Sequence, residues 1–175
     1  LCGGGNDLFP GRIIRKPDGV HYHFRTTPCT NENFVKKTYI LVLNILRLFD
    51  NINLIVVQTP LPRFPNTPLC ADCVNFEHSF ESTKELGKML ADKHKFLRMV
   101  RVVPVHIQIY AMMNYSGFSS RVRSKDRWTL AKSFKFCDQF LKLILSTDLV
   151  HLSNSGSVLL DVHLVHSANS VLQQC

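Results

Sequence analysis

Three side chains near the two ends of the chain have the types and spacing for acyl-transfer chemistry. Asn6 sits in Gly4-Gly5-Asn6-Asp7. Its amide N–H, held over a reacting carbonyl, would stabilise the oxyanion of a tetrahedral intermediate, an effect typically worth about 3 kcal/mol. Near the other end, Asp148 and His151 stand three residues apart, followed by Leu152, Ser153 and Gly156. In a loop entering a helix both side chains can point into one cleft, the imidazole as base and the carboxylate as its orienting partner. Each block also has a structural reading. Gly-Gly-Asn-Asp suits a tight turn, since glycine admits positive φ and Asn and Asp bond their own backbone. Asp148 can cap a turn, with His151 an ordinary partly buried histidine. A triad further needs a nucleophile against the base. Ser116, Ser119 and Ser120 lie in a loop near the cleft without the strand-to-helix elbow such a nucleophile requires.

A second constellation is basic. Arg121, Arg123, Lys125, Arg127, Lys132 and Lys135 are interrupted only by Asp126 and interleaved with Phe118, Trp128, Phe134 and Phe136. RNA recognition combines phosphate contacts from Arg and Lys with stacking of unpaired bases on aromatic rings. If the chain is helical from Trp128, Phe134 faces the core and the cations keep their function. Arg12, Arg15 and Lys16 form a secondary basic site, and so do Arg98 and Arg101. The net charge of the 175 residues is +8, with 21 Lys and Arg against 13 Asp and Glu. Residues 1–92 hold ten basic and nine acidic side chains, and residues 93–175 hold eleven basic and four acidic. That asymmetry implies an electropositive surface for a polyanion, with solubility alone as the plainer alternative.

The elements that position these groups alternate between strand and helix. Leu1 to Gly5 reads as the end of a strand and Pro10 to Pro28 as a long loop. A mostly buried helix is predicted from about Asn31 to Phe49. Ile52 to Thr59 is a β-branched run of the kind found in a central parallel strand. Ser82 to Glu85 has the pattern of a capping box, starting a helix whose Leu86, Met89, Leu90 and Leu97 form one stripe. Met99 to Tyr110 reads as a strand in which Pro104 cannot donate to a ladder. Trp128 to Leu145 and about Ser157 to Leu172 complete the pattern as helices. The order implies a single α/β domain over 1–175 with a doubly wound parallel sheet.

The G-x-N-D and D-x-x-H-L-S-x-x-G blocks, about 140 residues apart on suitable elements, resemble the SGNH (GDSL-like) hydrolase family. The resemblance runs from Leu1 to about Leu172 and includes the Leu61-Pro62-Arg63 turn. It implies a three-layer α/β/α fold with Asn6 as oxyanion donor and Asp148 and His151 as triad acid and base. It also implies that the first strands and the serine lie upstream of Leu1, the chain being an N-terminally truncated piece. The family's Gly-Asp-Ser nucleophile block occurs nowhere in the sequence, and its absence together with the basic, aromatic-laced second half looks most like the OSK domain of the Oskar family. That likeness implies a non-enzymatic domain binding messenger RNA, in its single-stranded regions, within a germ-plasm ribonucleoprotein assembly that includes protein partners. Asn6, Asp148 and His151 are then relics and no residue is catalytic. The alternative from the same resemblance is a serine esterase or acetyl-hydrolase. A third reading is a scaffold binding protein partners through the Pro60 to Pro68 loop.

The cysteines at 2, 29, 70, 73, 137 and 175 do not make the dense framework of a small secreted domain and read as mostly reduced thiols. Cys70-x-x-Cys73 with His78 nearby lacks a second close pair to complete a zinc site, and Asp161, His163 and His166 do not share one helical face, so neither metal nor cofactor is expected. With no basic-then-apolar leader and no apolar run near eighteen residues, the expected setting is cytoplasmic, away from membranes.

Overall fold

The computed structural model describes residues 1, 3–17, 19–61, 76–104, 107–109, 111–112, 140, 143–145 and 151–173. Its elements in chain order are α1 (Gly5–Leu8), β1 (Gly11–Lys16), β2 (Gly19–Phe24), α2 (Asn31–Leu48), β3 (Ile55–Gln58), α3 (Phe76–His94), β4 (Val100–Val103) and α4 (Asn154–Leu172). The chain is a mixed α/β structure. At its centre β3 and β4 pair in parallel, Ile55 against Val100 through Gln58 against Val103, with α3 in the connection. A parallel pair cannot be joined by a tight turn, and the apolar stripe of α3 gives the crossover a buried face. Leu1 extends this sheet on the other side of β3. Its amino group donates to the Val56 carbonyl, and its own carbonyl accepts from the Gln58 N–H at 2.9 Å, as a parallel neighbour does.

Four expectations are corrected in detail. The segment from Pro10 to Pro28, read as loop for its glycines and prolines, contains the antiparallel hairpin β1–β2, with Gly11 opposite Phe24 and Lys16 opposite Gly19. The backbones of Arg12, Arg15 and Lys16 therefore lie in a strand. β4 stops at Val103, because Pro104 offers no N–H to the ladder, and the chain turns helical at 107–109, where Gln108 N–H donates to the Pro104 carbonyl. α3 begins at Phe76, so Ser82 is inside the helix. The Ser82 carbonyl accepts from Asn31 Nδ2, and the Thr83 hydroxyl, which donates toward Ser79 and Phe80, is satisfied within the helix. α2 has the predicted extent, capped by Thr30 Oγ1 accepting from Asn33 N–H, yet only Val35 and Val42 are fully buried along it. Ile40, Leu41, Leu43 and Leu48 are exposed.

Two clusters make the core. One joins Leu8, Phe9, Val35 and Val42 to Ile55, Val57 and Val100 of the sheet and Leu86 and Leu90 of α3. The other gathers Phe80, Ile109, Met112, Phe140, Ile144 and Leu145, with Leu61, Leu152, Leu159 and Leu160 against them. α3 serves both, Phe80 in one and Leu86 and Leu90 in the other. At Gly87 it passes close to Thr59 and Pro104, where an added Cβ would lie 3.3 Å from Thr59 Cγ2. The start of α4 is fixed by Ser153, whose Oγ accepts from the Gly156 N–H at 3.1 Å while its N–H donates to the Ile144 carbonyl at 2.7 Å. Ser153 is thus an N-cap, satisfying a donor that the first turn leaves free.

Candidate functional site

The parallel strands end in a cleft of about 420 Å³. Its walls come from four places: Gly3 and Gly5 around the N-terminal turn, Gln58 to Leu61 leaving β3, Gln108 beyond β4, and His151, Leu152, Ser157 and Leu160 at and after the entry to α4. In an open α/β sheet the carboxyl ends of the strands are where loops and helix starts converge around a ligand. The glycine turn is built by Gly4 at φ 79°, whose carbonyl accepts from the N–H groups of Asp7 and Leu8. Only a residue without Cβ takes this backbone easily, and here a Cβ would also strike the Phe34 ring. Gly-Gly-Asn-Asp is therefore a structural turn as well as a cleft wall.

The structure brings His151 and the turn carrying Asn6 to one cleft. His151 is exposed at the cleft, and Asn6 is exposed in α1, beside Gly5. Asp148 lies outside the described residues, as do Ser116, Ser119, Ser120, Cys70 and Cys73. So do the basic residues Arg121, Arg123, Lys125, Arg127, Lys132 and Lys135. Ser157 lines the cleft from the first turn of α4, and Thr59 Oγ1 is engaged, donating to the Val103 carbonyl at 3.2 Å. Among the described residues no group of three or more His, Cys, Asp and Glu is placed to hold a metal ion, Cys29 is a free thiol, and no helix is long and apolar enough to cross a membrane.

Two cleft residues were not among the sequence candidates. Gln58 and Gln108 are 5% and 2% exposed, and Gln58 Nε2 and Gln108 Oε1 are buried without a hydrogen-bond partner. A glutamine at the end of a β-branched run is the faint signal for the first, since a polar side chain at the carboxyl end of a buried strand is where a ligand group would be met. Gln108 gave none, because its burial depends on the turn that Pro104 forces.

At the opposite, amino ends of the strands the surface is cationic and aromatic. Lys93 at the end of α3, Lys95 and Arg98 in its connection to β4 and Arg101 in β4 are exposed, and Phe96 among them is 85% exposed. Lys95 Nζ lies 5.3 Å from the Phe96 ring centre and pairs with Asp92 at 2.9 Å, and Lys93 Nζ lies 4.8 Å from the ring centre of Tyr39. Behind the surface His94 is buried, its ring 5.3 Å from that of Tyr39. Its Nδ1 sits 2.7 Å from the Leu90 carbonyl, which can only accept, so Nδ1 carries the proton. Leu48 and Phe49 at the end of α2 are exposed on the approach to β3. The sequence had marked Arg98 and Arg101 as secondary sites but had not marked Phe96.

Comparison with protein-family models, with curated proteins and with solved structures finds no match for this chain.

Proposed function

We propose that this chain is a non-enzymatic unit that binds single-stranded RNA on a doubly wound, SGNH-hydrolase-like fold, as part of a messenger ribonucleoprotein assembly of the Oskar type. The observation that carries the reading is the α3–β4 connection. A phenylalanine side chain left 85% exposed among four exposed cations forfeits its burial energy. It gains a use if a nucleobase stacks on it while Lys93, Lys95, Arg98 and Arg101 meet the phosphates. Residues 93–175 hold eleven basic against four acidic side chains, Arg121, Arg123, Lys125 and Arg127 among them, and this surplus adds to the attraction for a polyanion. Anisotropy of labelled single-stranded RNA over a salt series tests it. Phe96→Ala is expected to weaken binding by about 1–3 kcal/mol, the usual worth of one stacked base. Arg98→Glu, and Arg121→Glu with Arg123→Glu, are expected to weaken it and flatten its salt dependence. Unchanged affinity in all of these variants would refute the reading.

A second reading, that of an SGNH-type esterase, is favoured by one observation: His151 and the Gly3–Gly5 turn line the same cleft. In that reading His151 is the base, Asn6 the oxyanion donor and Asp148 the orienting acid. Turnover of a short-chain ester that is lost in His151→Ala would favour it over the first.

A further inference from the structure

The cleft at the carboxyl ends of the strands has a recognition chemistry of its own, separate from the cationic surface at their amino ends. Gln58 and Gln108 line it, both are more than nine-tenths buried, and each has an amide atom without a hydrogen-bond partner: a donor, Nε2, on Gln58 and an acceptor, Oε1, on Gln108. A buried amide in a folded protein is ordinarily satisfied, so these unmatched groups of opposite kind, on two residues of one cleft wall, are completed when each side chain turns its amide toward a ligand there. No Asp, Glu, Lys or Arg is among the described residues of that wall. A carboxylate, phosphate or ammonium entering it would lose its hydration among side chains with no permanent charge, which favours a neutral group.

We propose that this cleft binds a neutral, planar ligand bearing a hydrogen-bond acceptor and donor side by side, the amide edge of a nucleobase or a carboxamide, with Gln58 donating to it and Gln108 accepting from it. Each primary amide can also turn over and exchange its two roles, so the pair suits either order of donor and acceptor on the ligand. The volume of about 420 Å³ and the apolar faces of Pro60, Leu61, Leu152 and Leu160 provide room and flat contact for a ring. The inference is independent of RNA binding at the α3–β4 connection. The same amide edge can belong to a free small molecule or to an unpaired base of RNA.

The test follows the glutamine side-chain amide signals of the ¹⁵N-labelled chain by NMR during titration with uracil, cytosine and nicotinamide, and separately with a short single-stranded RNA. Saturable shifts of the Gln58 and Gln108 amides are expected with at least one probe. Gln58→Leu and Gln108→Met, close in volume to glutamine, should each weaken that binding at least tenfold. Shifts with the free compounds alone identify a small-molecule site, and shifts with RNA as well identify a pocket for an unpaired base. Absence of saturable shifts with every probe overturns the proposal, as does undiminished affinity in both variants. RNA that binds through Phe96 while leaving the cleft amides unmoved, with no free compound bound, overturns the cleft proposal and leaves the RNA reading standing.

Discussion

Gly156 shows how a residue in a chemical motif can have a packing role. It is the last letter of D-x-x-H-L-S-x-x-G, yet a Cβ there would lie 2.3 Å from the Ile144 carbonyl oxygen. The obstacle is backbone, which cannot swing aside as a side chain can. Gly156→Ala is therefore expected to destabilise the chain by about 1–3 kcal/mol, the usual cost of overpacking, read as a lower urea midpoint. A second prediction at this scale concerns His163. Burial holds its pKa below the ordinary 6.5, with repulsion from His166 adding to the effect. Above about pH 6.5 neither folded nor unfolded chain holds the proton, and the stability of the neutral ring is fully present. As pH falls below 6.5 the unfolded chain takes up the proton first, so stability declines until the lowered folded-state pKa is reached. Urea midpoints at pH 7.5 and 5.5 should differ less in His163→Leu than in the wild type; an equal difference would show that His163 does not contribute. Spacing alone singles out His151 and the glycine turn before Asn6, which the fold brings to one cleft. Gln58 and Gln108 were not legible, because burial of an amide is decided by what the rest of the chain packs over it.

The best-read elements have strong periodicity. β3 announced itself in Ile55-Val56-Val57, and α2 kept its predicted start because Thr30 supplies the cap. The stripe of α3 was read correctly at Leu86 and Leu90, which are fully buried against Val42 and the sheet. Leu90→Ala is expected to cost about 2–5 kcal/mol, since a helix pinned between another helix and a sheet cannot collapse into the space. Chemical denaturation measures it, and a loss under 1 kcal/mol would mean that α3 is not the packed crossover described. Elements were misread where a local signal had two uses. Ser82-x-x-Glu85 has the letters of a capping box but lies inside α3, and Lys16-Pro17-Asp18-Gly19 looked like loop although the flanking Ile13, Ile14, Val20, Tyr22 and Phe24 suit strands. Proline and glycine density marks a hairpin turn as readily as a loop.

For the molecule as a whole, the two candidate sites lie at opposite ends of the parallel strands. The cleft gathers the glycine turn, the ends of β3 and β4 and the entry to α4, and its described wall has no permanently charged side chain. The α3–β4 connection carries cations and an exposed ring. Net charge was legible from composition, and so was its bias toward residues 93–175. That an exposed ring at Phe96 lies among these cations was not, since a phenylalanine beside Leu97 reads as core until its exposure is seen. The proposed binding of single-stranded RNA at this cationic, aromatic surface is open to direct measurement. The most direct measurement is anisotropy of a labelled single-stranded RNA titrated with this chain across a salt series, alongside Phe96→Ala and with an ester assayed on the same preparation. Binding that weakens steeply as salt rises, weaker binding by Phe96→Ala and no turnover are expected. Ester hydrolysis that requires His151, in a chain without RNA affinity, would contradict the RNA reading.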